Sequence, residues 1–464
     1  MSPEQKTPLT ISLLTDEALR IGIHLHKTDA LADAEALYRR IIESEPGNLD
    51  ALHYLAVLSH QVNRHHESFD LIRKILDLDP KNADAHNNLG NVLEALGRFP
   101  EAEEYYRKAI ALRPDHAPAL NNLGVQLMSQ KNYTEAADTL RKAISLSPAN
   151  ADFRYNLGNA LRKSEEYDHA IAVYREALGL SPNHEGAWRG MARCYLLTGR
   201  PQEAADAFGE WLRLDPGNEL AMYLRASCLG EEVPARAPDA YICQVFDNMA
   251  VRFDTHLIEN LEYRAPDLLA QALGAALPPS ASSLDILDAG CGTGLCGKLL
   301  KPFARCLTGV DLSSGMLVIA KERKLYDHLV TGELTGFLHA APEVYDIVAS
   351  SDTLCYFGPL EPVFQAAYSA LKPGGLLAFT LEDAGDDAPP WGLNPTARYS
   401  HQRAYVTGAL RETGFAVHSL TSEALRNESQ QPVKGHVVVA RKDACRRPGM
   451  SQDSTDGKPE AKEI

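Results

Sequence analysis

Basic residues are in deficit: 46 lysines and arginines face 62 aspartates and glutamates, a formal net charge of −16. A partner held mainly through its phosphates needs a basic face that releases counterions, so nucleic acid is not expected as a partner. Long apolar runs are missing as well, and no stretch is long enough to span a bilayer. The first residues show no basic segment followed by an apolar one. A cytoplasmic chain with no membrane partner is therefore expected. The eight cysteines fall at irregular positions without a Cys-x-x-Cys pair, which excludes a disulfide framework and points to reduced thiols. His24, His26, His65 and His66 have no convergent partners in the pattern, so no metal site is expected. At 464 residues the chain is long enough for two or three domains, each with its own core.

What is present first is a repeat. Prolines fall at Pro46, Pro80, Pro114, Pro148, Pro182 and Pro216, each 34 residues after the last. A small-residue column keeps the same register (Gly22, Ala56, Gly90, Gly124, Gly158, Ala192, Ala226). A second column reads Ala34, Ser68, Ala102, Ala136, Ala170 and Ala204. A third is large: Tyr38, Ile72, Tyr106, Leu140, Tyr174 and Phe208. Small residues let paired helices approach closely, the large column fills the space beside them, and proline closes a helix where an N–H can be spared. The period and columns resemble the tetratricopeptide repeat, a helix pair per unit. Six repeats and a capping helix over residues 218–229 are expected, because a terminal repeat needs a cover. Asn88, Asn122 and Asn156 recur at one position. The array resembles that of O-linked N-acetylglucosamine transferase, whose asparagine ladder holds peptides. That resemblance implies a peptide groove through these three residues; bonds to a neighbouring helix are the other reading.

Residues 230–239 (GEEVPARAPD) read as a linker. Beyond it, residues 284–297 read LDILDAGCGTGLCG: a short buried strand, an acidic residue, alternating glycines, then a helix. Strand, glycine turn and helix is how an open α/β sheet presents backbone N–H groups to a ligand. Gly292-Thr293-Gly294-Leu295-Cys296-Gly297 also fits GxGxxG, so a dinucleotide reading stands beside the one that follows. Asp288, just before the glycines, suits a cationic amino group and would repel a pyrophosphate. The segment resembles the class I S-adenosylmethionine (SAM)-dependent methyltransferases, whose first motif is an acidic residue followed by alternating glycines.

Later segments extend that resemblance over residues 240–441. Asp311 ends a second strand, 21 residues beyond Gly290, where a carboxylate can accept both ribose hydroxyls. Leu312 follows it, and Met316 is an adenine contact or a core residue. The resemblance implies an acidic residue for the adenine amino group at Glu333. It also implies backbone contacts through Ala289, Gly290, Cys291, Gly292 and Gly294, and a Lys372-Pro373-Gly374-Gly375 turn before a fifth strand. The 240–261 segment resembles the lid of bacterial repeat-containing methyltransferases and, more loosely, of the malonyl-carrier-protein O-methyltransferase. The resemblance puts the Phe253 ring where it can pack against the sulfonium or the methionine chain; a lid that only caps the sheet is the other reading. The Asn/Asp-Pro-Pro-Tyr/Phe signature of amino-group methyltransferases is missing after strand four.

Methyl transfer from SAM needs no metal or covalent nucleophile. A base is needed only where the acceptor must lose a proton, and His401, Tyr399 and Tyr356 are candidates for that role or for substrate positioning. The expected architecture is an all-α repeat superhelix followed by an α/β Rossmann-like class I methyltransferase domain. Its boundaries are a disordered 1–10, an array over 11–229, the linker 230–239, the SAM domain over 240–441 and a disordered tail over 442–464. The expected function is methyl transfer from SAM, with the repeats recruiting a protein, peptide or carrier-bound acceptor; a small-molecule acceptor is the alternative. A repeat scaffold on a SAM-binding but inactive domain, and an NAD enzyme, are the competing readings.

Overall fold

The computed structural model describes residues 8–255, 257, 261–278, 283–428 and 431–443, with side chains from residue 14. Its contacts divide it into two compact units that part between Arg200 and Pro201.

The first unit is helical throughout, from α1 (Pro8–Lys27) and α2 (Leu31–Ser44) to α10 (Tyr167–Leu180) and α11 (Glu185–Leu197). Its packing is the column pattern made physical. A Cβ added to Gly124 would lie 2.6 Å from the Leu140 side chain, and one on Gly22 would lie 2.7 Å from the Tyr38 ring. The small column is therefore the surface on which the large one rests. Leu140, Tyr38, Tyr106 and Tyr174 are fully buried. Two residues after each proline stands a helix cap. Asn48, Asn82 and Asn150 accept the backbone N–H three residues on, at 3.0, 2.9 and 3.1 Å. His116 does the same through Nδ1 at 3.2 Å. Each cap answers an N–H that the first turn leaves without a partner.

The second unit opens with α12 (Pro201–Leu214) and α13 (Glu219–Leu229). Thus the second helix of the last pair and the cover helix count with the downstream sheet, and the division does not fall at 230–239. The reason is lateral packing: Tyr223 of α13 is buried and donates its hydroxyl to the Ala397 carbonyl at 2.7 Å. After α14 (Asp239–Met249), the single turn α15 (Phe253–Thr255) and α16 (Ala265–Ala276) comes the sheet. Strands β1 (Leu284–Ala289), β2 (Ala304–Asp311), β3 (His328–Thr331), β4 (Tyr345–Ser350) and β5 (Leu371–Asp383) are parallel, in the order β3-β2-β1-β4-β5. The short β6 (Trp391–Leu393) and β7 (Tyr399–His401) extend the far end of β5. The long β8 (Phe415–Glu428) and β9 (Gln431–Lys442) form an antiparallel pair, with β9 on β5.

Side chains on β1 alternate between two cores. Leu287 and Ala289 meet Phe364 and Phe379 on one face, while Ile286 meets Leu269 and Leu273 of α16 on the other. Because β1 lies between β2 and β4, its carboxyl end is the switch point of the sheet, where open α/β sheets leave a crevice.

Several expected boundaries shift. The 1–10 segment already enters α1 at Pro8, and residues 1–7 lie outside the described residues. Lys442 of the expected tail closes β9, buried, with Nζ bonded to the Leu371 carbonyl at 2.7 Å; residues 444–464 lie outside the described residues. The helix after the glycine turn is short, α17 (Gly297–Leu300), followed by a tight turn at Lys301–Phe303. Glu382, near the end of β5, is buried.

Candidate active site

The turn after β1 is bound to its neighbour strand: the Gly290 and Cys291 N–H groups donate to the Val310 carbonyl at 2.8 and 3.0 Å. Gly290 has φ +77°, and a Cβ there would strike Thr353. Gly292 also has positive φ, and a Cβ on it would reach out to 3.9 Å from the Phe253 ring, into the crevice. Asp311, at the end of β2, takes the Gly292 N–H on Oδ2 at 2.9 Å and the Ser313 N–H on Oδ1 at 2.8 Å. Burial raises its carboxyl above the usual range, while those two N–H groups pull it down.

These residues line a crevice with about 1080 Å³ of empty space, its open mouth included. Gly290, Cys291, Gly292, Asp311, Leu312 and Glu333 stand in its wall as expected for cofactor contacts. Glu333 caps α19 (Leu334–His339) through the Thr335 and Gly336 N–H groups at 3.0 and 2.7 Å. Phe253 lines the opposite wall, edge-on to Phe246 with ring centres 5.8 Å apart. Phe246 is in turn edge-on to Tyr356 at the same distance.

Other expected contacts are placed elsewhere. Asp288 is buried and is not part of the wall. One of its oxygens accepts the Tyr326 hydroxyl at 2.6 Å, and the other has no partner among the described residues. Burial pushes its pKa up to about 7, with the Tyr326 bond opposing and the Asp311 charge adding. Ala289 belongs to the strand core, and Gly294 faces Tyr326 and Arg323. Met316 is fully buried outside the wall, in α18 (Ser314–Glu322), where its N–H bonds the Ser313 hydroxyl oxygen. That is the core alternative for this methionine.

The candidate bases divide likewise. His401 is completely buried at the β7 position beside β5, with Nε2 on the Gly358 carbonyl at 2.8 Å. Burial lowers its pKa to about 4 against the pull of that carbonyl. It is absent from the crevice wall, which corrects its expected placement as a base. Tyr399 is also buried away from the wall, donating to the Pro234 carbonyl at 2.6 Å. Only Tyr356 reaches the crevice, where its hydroxyl oxygen accepts Arg398 Nε at 3.4 Å.

Sequence reasoning missed the charges beside Tyr356. Arg398 lines the wall and bonds Glu428 at 2.5 Å. Beneath it Arg426, only 1% exposed, bonds Asp352 at 2.9 Å, Glu428 at 2.7 Å and Glu382. Arg398 stood in the sequence beside Tyr399; its partners come from segments far apart, with no shared period to announce them.

In the repeat unit, α3 (Leu49–Gln61), α5 (Ala83–Ala95), α7 (Ala117–Ser129) and α9 (Ala151–Lys163) carry the asparagines and their partners. Asn122 Nδ2 bonds the Asn87 and Asn91 side-chain oxygens at 3.0 and 2.8 Å, and Asn156 bonds Asn121 at 2.9 Å. Asn88 meets His53 at 3.4 Å. These amides tie successive helices together, as the neighbouring-helix alternative had it. Among the described residues, no three His, Cys, Asp or Glu side chains converge as a metal site, and no helix is long and apolar enough to cross a membrane.

Comparison with known proteins also separates repeats from sheet, with the repeat matches running on to residue 219. Residues 287–379 match the family model described as Methyltransferase domain, and residues 24–83, 70–117, 87–151 and 155–219 match Tetratricopeptide repeat. The malonyl-[acyl-carrier protein] O-methyltransferase of Pectobacterium atrosepticum is 30% identical over 167 residues, 36% of this chain and 60% of that protein. The trans-aconitate 2-methyltransferase of Paracidovorax citrulli is 34% identical over 117 residues, 25% of this chain and 44% of its own length. The chain thus spans 60% and 44% of the length of these two curated relatives, less than two thirds of either. A solved structure described as a functional characterization of Pseudomonas aeruginosa pilF is similar at 22% identity and TM-score 0.42, over 47% of this chain and 98% of its own. The chain carries tetratricopeptide repeats followed by a methyltransferase domain.

Proposed function

We propose that the second unit is a SAM-dependent methyltransferase acting on an oxygen acid, with the repeats recruiting the protein or carrier that bears it. One observation carries this reading. At the switch point of the sheet, a turn with no Cβ at Gly292 faces Asp311, and an aromatic ring, Phe253, closes the other side. SAM fits those features, since the residues offer an acceptor for ribose hydroxyls and a π face for a sulfonium. The unanswered oxygen of Asp288 adds an acceptor beside the turn.

Bound SAM supplies a methyl group already activated on sulfur. The chain's part is to place the acceptor in line with it, and such positioning is worth roughly 7–11 kcal/mol. Tyr356 and Arg398 stand at the wall with donors to orient an acceptor oxygen, held in turn by Glu428. Among the described residues the candidate bases are ill placed for that role: His401 and Tyr399 lie outside the wall, burial raises the Tyr356 hydroxyl above its usual range, and Asp352 is paired with Arg426. The acceptor on this reading arrives ionised, as a carboxylate does at neutral pH. The name of the malonyl-carrier relative points the same way.

The test is calorimetric titration of the full chain with SAM. Asp311→Asn removes charge-assisted hydrogen bonds worth about 1.5–3 kcal/mol each, so affinity should fall at least about tenfold. Equal affinity in the two proteins would refute the site. SAM binding without transfer of labelled methyl to carboxylate acceptors or captured partners would favour a scaffold with a silent domain.

A further inference from the structure

Two aspartates fasten the wall that carries Phe246 and Phe253 to the rest of the crevice through charge-assisted hydrogen bonds. Asp254, the residue after Phe253, takes the Thr293 hydroxyl on Oδ1 at 2.5 Å and the Arg323 guanidinium on Oδ2. Arg323 also donates Nε to the Thr293 carbonyl at 2.6 Å, so one arginine grips both the wall and the glycine turn. Asp247, near the end of α14, accepts the Ser313 hydroxyl at 2.5 Å and the Gly315 N–H at 2.9 Å. A Cβ on Gly315 would come within 3.0 Å of that oxygen, so the close approach depends on glycine.

These contacts join α14 and α15 to the two loops that cradle the proposed donor, the 292–294 turn and the segment after Asp311. Hydrogen bonds to charged groups are the strong ones, and the Asp254 set is half-buried, so solvent competes weakly for it. Among the described residues the wall is also held by a weaker Cys243 thiol contact to the Leu312 carbonyl at 3.5 Å and by the apolar side chains of Ile242, Phe246 and Phe253. Neither aspartate is itself in the crevice wall, so each acts through others.

We propose that Asp254, held by Thr293 and Arg323, and Asp247, held by Ser313 and Gly315, are positioning residues that keep the aromatic wall closed over the crevice and set the rate at which the methyl donor passes in and out. This rests on the SAM reading above. A closed wall that must open for passage slows arrival and departure alike. Releasing a catch therefore raises both rates and leaves the affinity nearly untouched. A side chain that only shaped the bound site would change departure alone.

The experiment is surface plasmon resonance on the immobilised full chain, with SAM as the probe. Asp254→Asn and Arg323→Gln should each raise the association and dissociation rate constants by about tenfold or more, with Kd moving less than about threefold. Asp247→Asn releases the second catch by itself and keeps the test open if the first variants fold poorly. Amide exchange over the 242–255 segment should quicken in each variant while β1 to β5 stay protected. Unchanged rates in the variants, or a rise in dissociation alone, overturn the proposal. A native chain that binds no SAM overturns the preceding reading and this one with it.

Discussion

In the repeat helices Asn122 gives its amide to two neighbours, Asn87 and Asn91, and the Tyr106 hydroxyl bonds Asn91 and Glu94, both at 2.9 Å. Behind the glycine turn, outside the crevice wall, Asp288 keeps one oxygen unanswered, and in the wall Asp311 holds one backbone N–H on each oxygen with lone pairs to spare. Polar groups in the first region are spent on the fold, at a fixed period. Those in the second are held in position and only partly used, which is what a binding site requires. A buried unanswered acceptor costs stability, so its presence beside a glycine turn is in keeping with the proposed ligand site.

The contrast can be broken most forcefully at Arg426. Replacing it with methionine leaves Asp352 without its cation and Glu382 and Glu428 with Arg398 alone, and should cost about 3–5 kcal/mol. Urea denaturation of the full chain, followed by far-ultraviolet circular dichroism, reads the loss in the transition of the second unit. A cost under about 1 kcal/mol would mean the cluster is solvated rather than part of the crevice floor.

The pH dependence sharpens the comparison next, because two buried groups pull in opposite senses. His401 has its pKa lowered by burial to about 4, so the unfolded chain binds the extra proton between about 4 and 6.5. Its contribution is full above that window and is lost as pH falls through it, about 3 kcal/mol in all. Asp288 is raised by burial to about 7, so the folded chain holds the extra proton, and stability falls as pH rises from about 4 to 7, by a similar amount. His401→Gln should remove the rise with pH, and Asp288→Asn should remove the fall. Parallel curves for both variants and the native chain would contradict the burial of both groups.

Smaller effects are expected among the repeats. Gly124→Val drives a side chain into Leu140 and should cost about 1–3 kcal/mol in the first unit's transition. Asn82→Ala removes one cap and should cost about 1 kcal/mol. A cap variant that costs more than the glycine variant would mean the columns are not what spaces the helices.

Legibility in the sequence follows how far apart the cooperating residues lie. The repeat columns state their contacts within a single 34-residue period, so pairing, packing and the placement of the cover helix were readable. The caps at Asn48, Asn82, His116 and Asn150 each stand two residues past a proline, but asparagine and histidine share that column and hide it. The crevice was readable where one short segment carries it: the 290–292 turn, and Asp311 at a strand end. Its floor was not, because Arg426 reaches Asp352 across 74 residues and Glu382 across 44. His401 looked poised by its ordinary pKa, but the strand pairing of β7 with β5 buries it. The boundary at 230–239 followed composition, whereas Tyr223 finds its partner 174 residues on, at Ala397.

The account stands or falls on which charge the crevice takes. Thermal melting of the full chain with saturating SAM, and separately with NAD, puts that question directly. At about 100 times its dissociation constant a ligand stabilises by about 2.7 kcal/mol, a shift of a few degrees. The account predicts that SAM raises the transition of the second unit while NAD leaves it in place. A rise with NAD and none with SAM would contradict it.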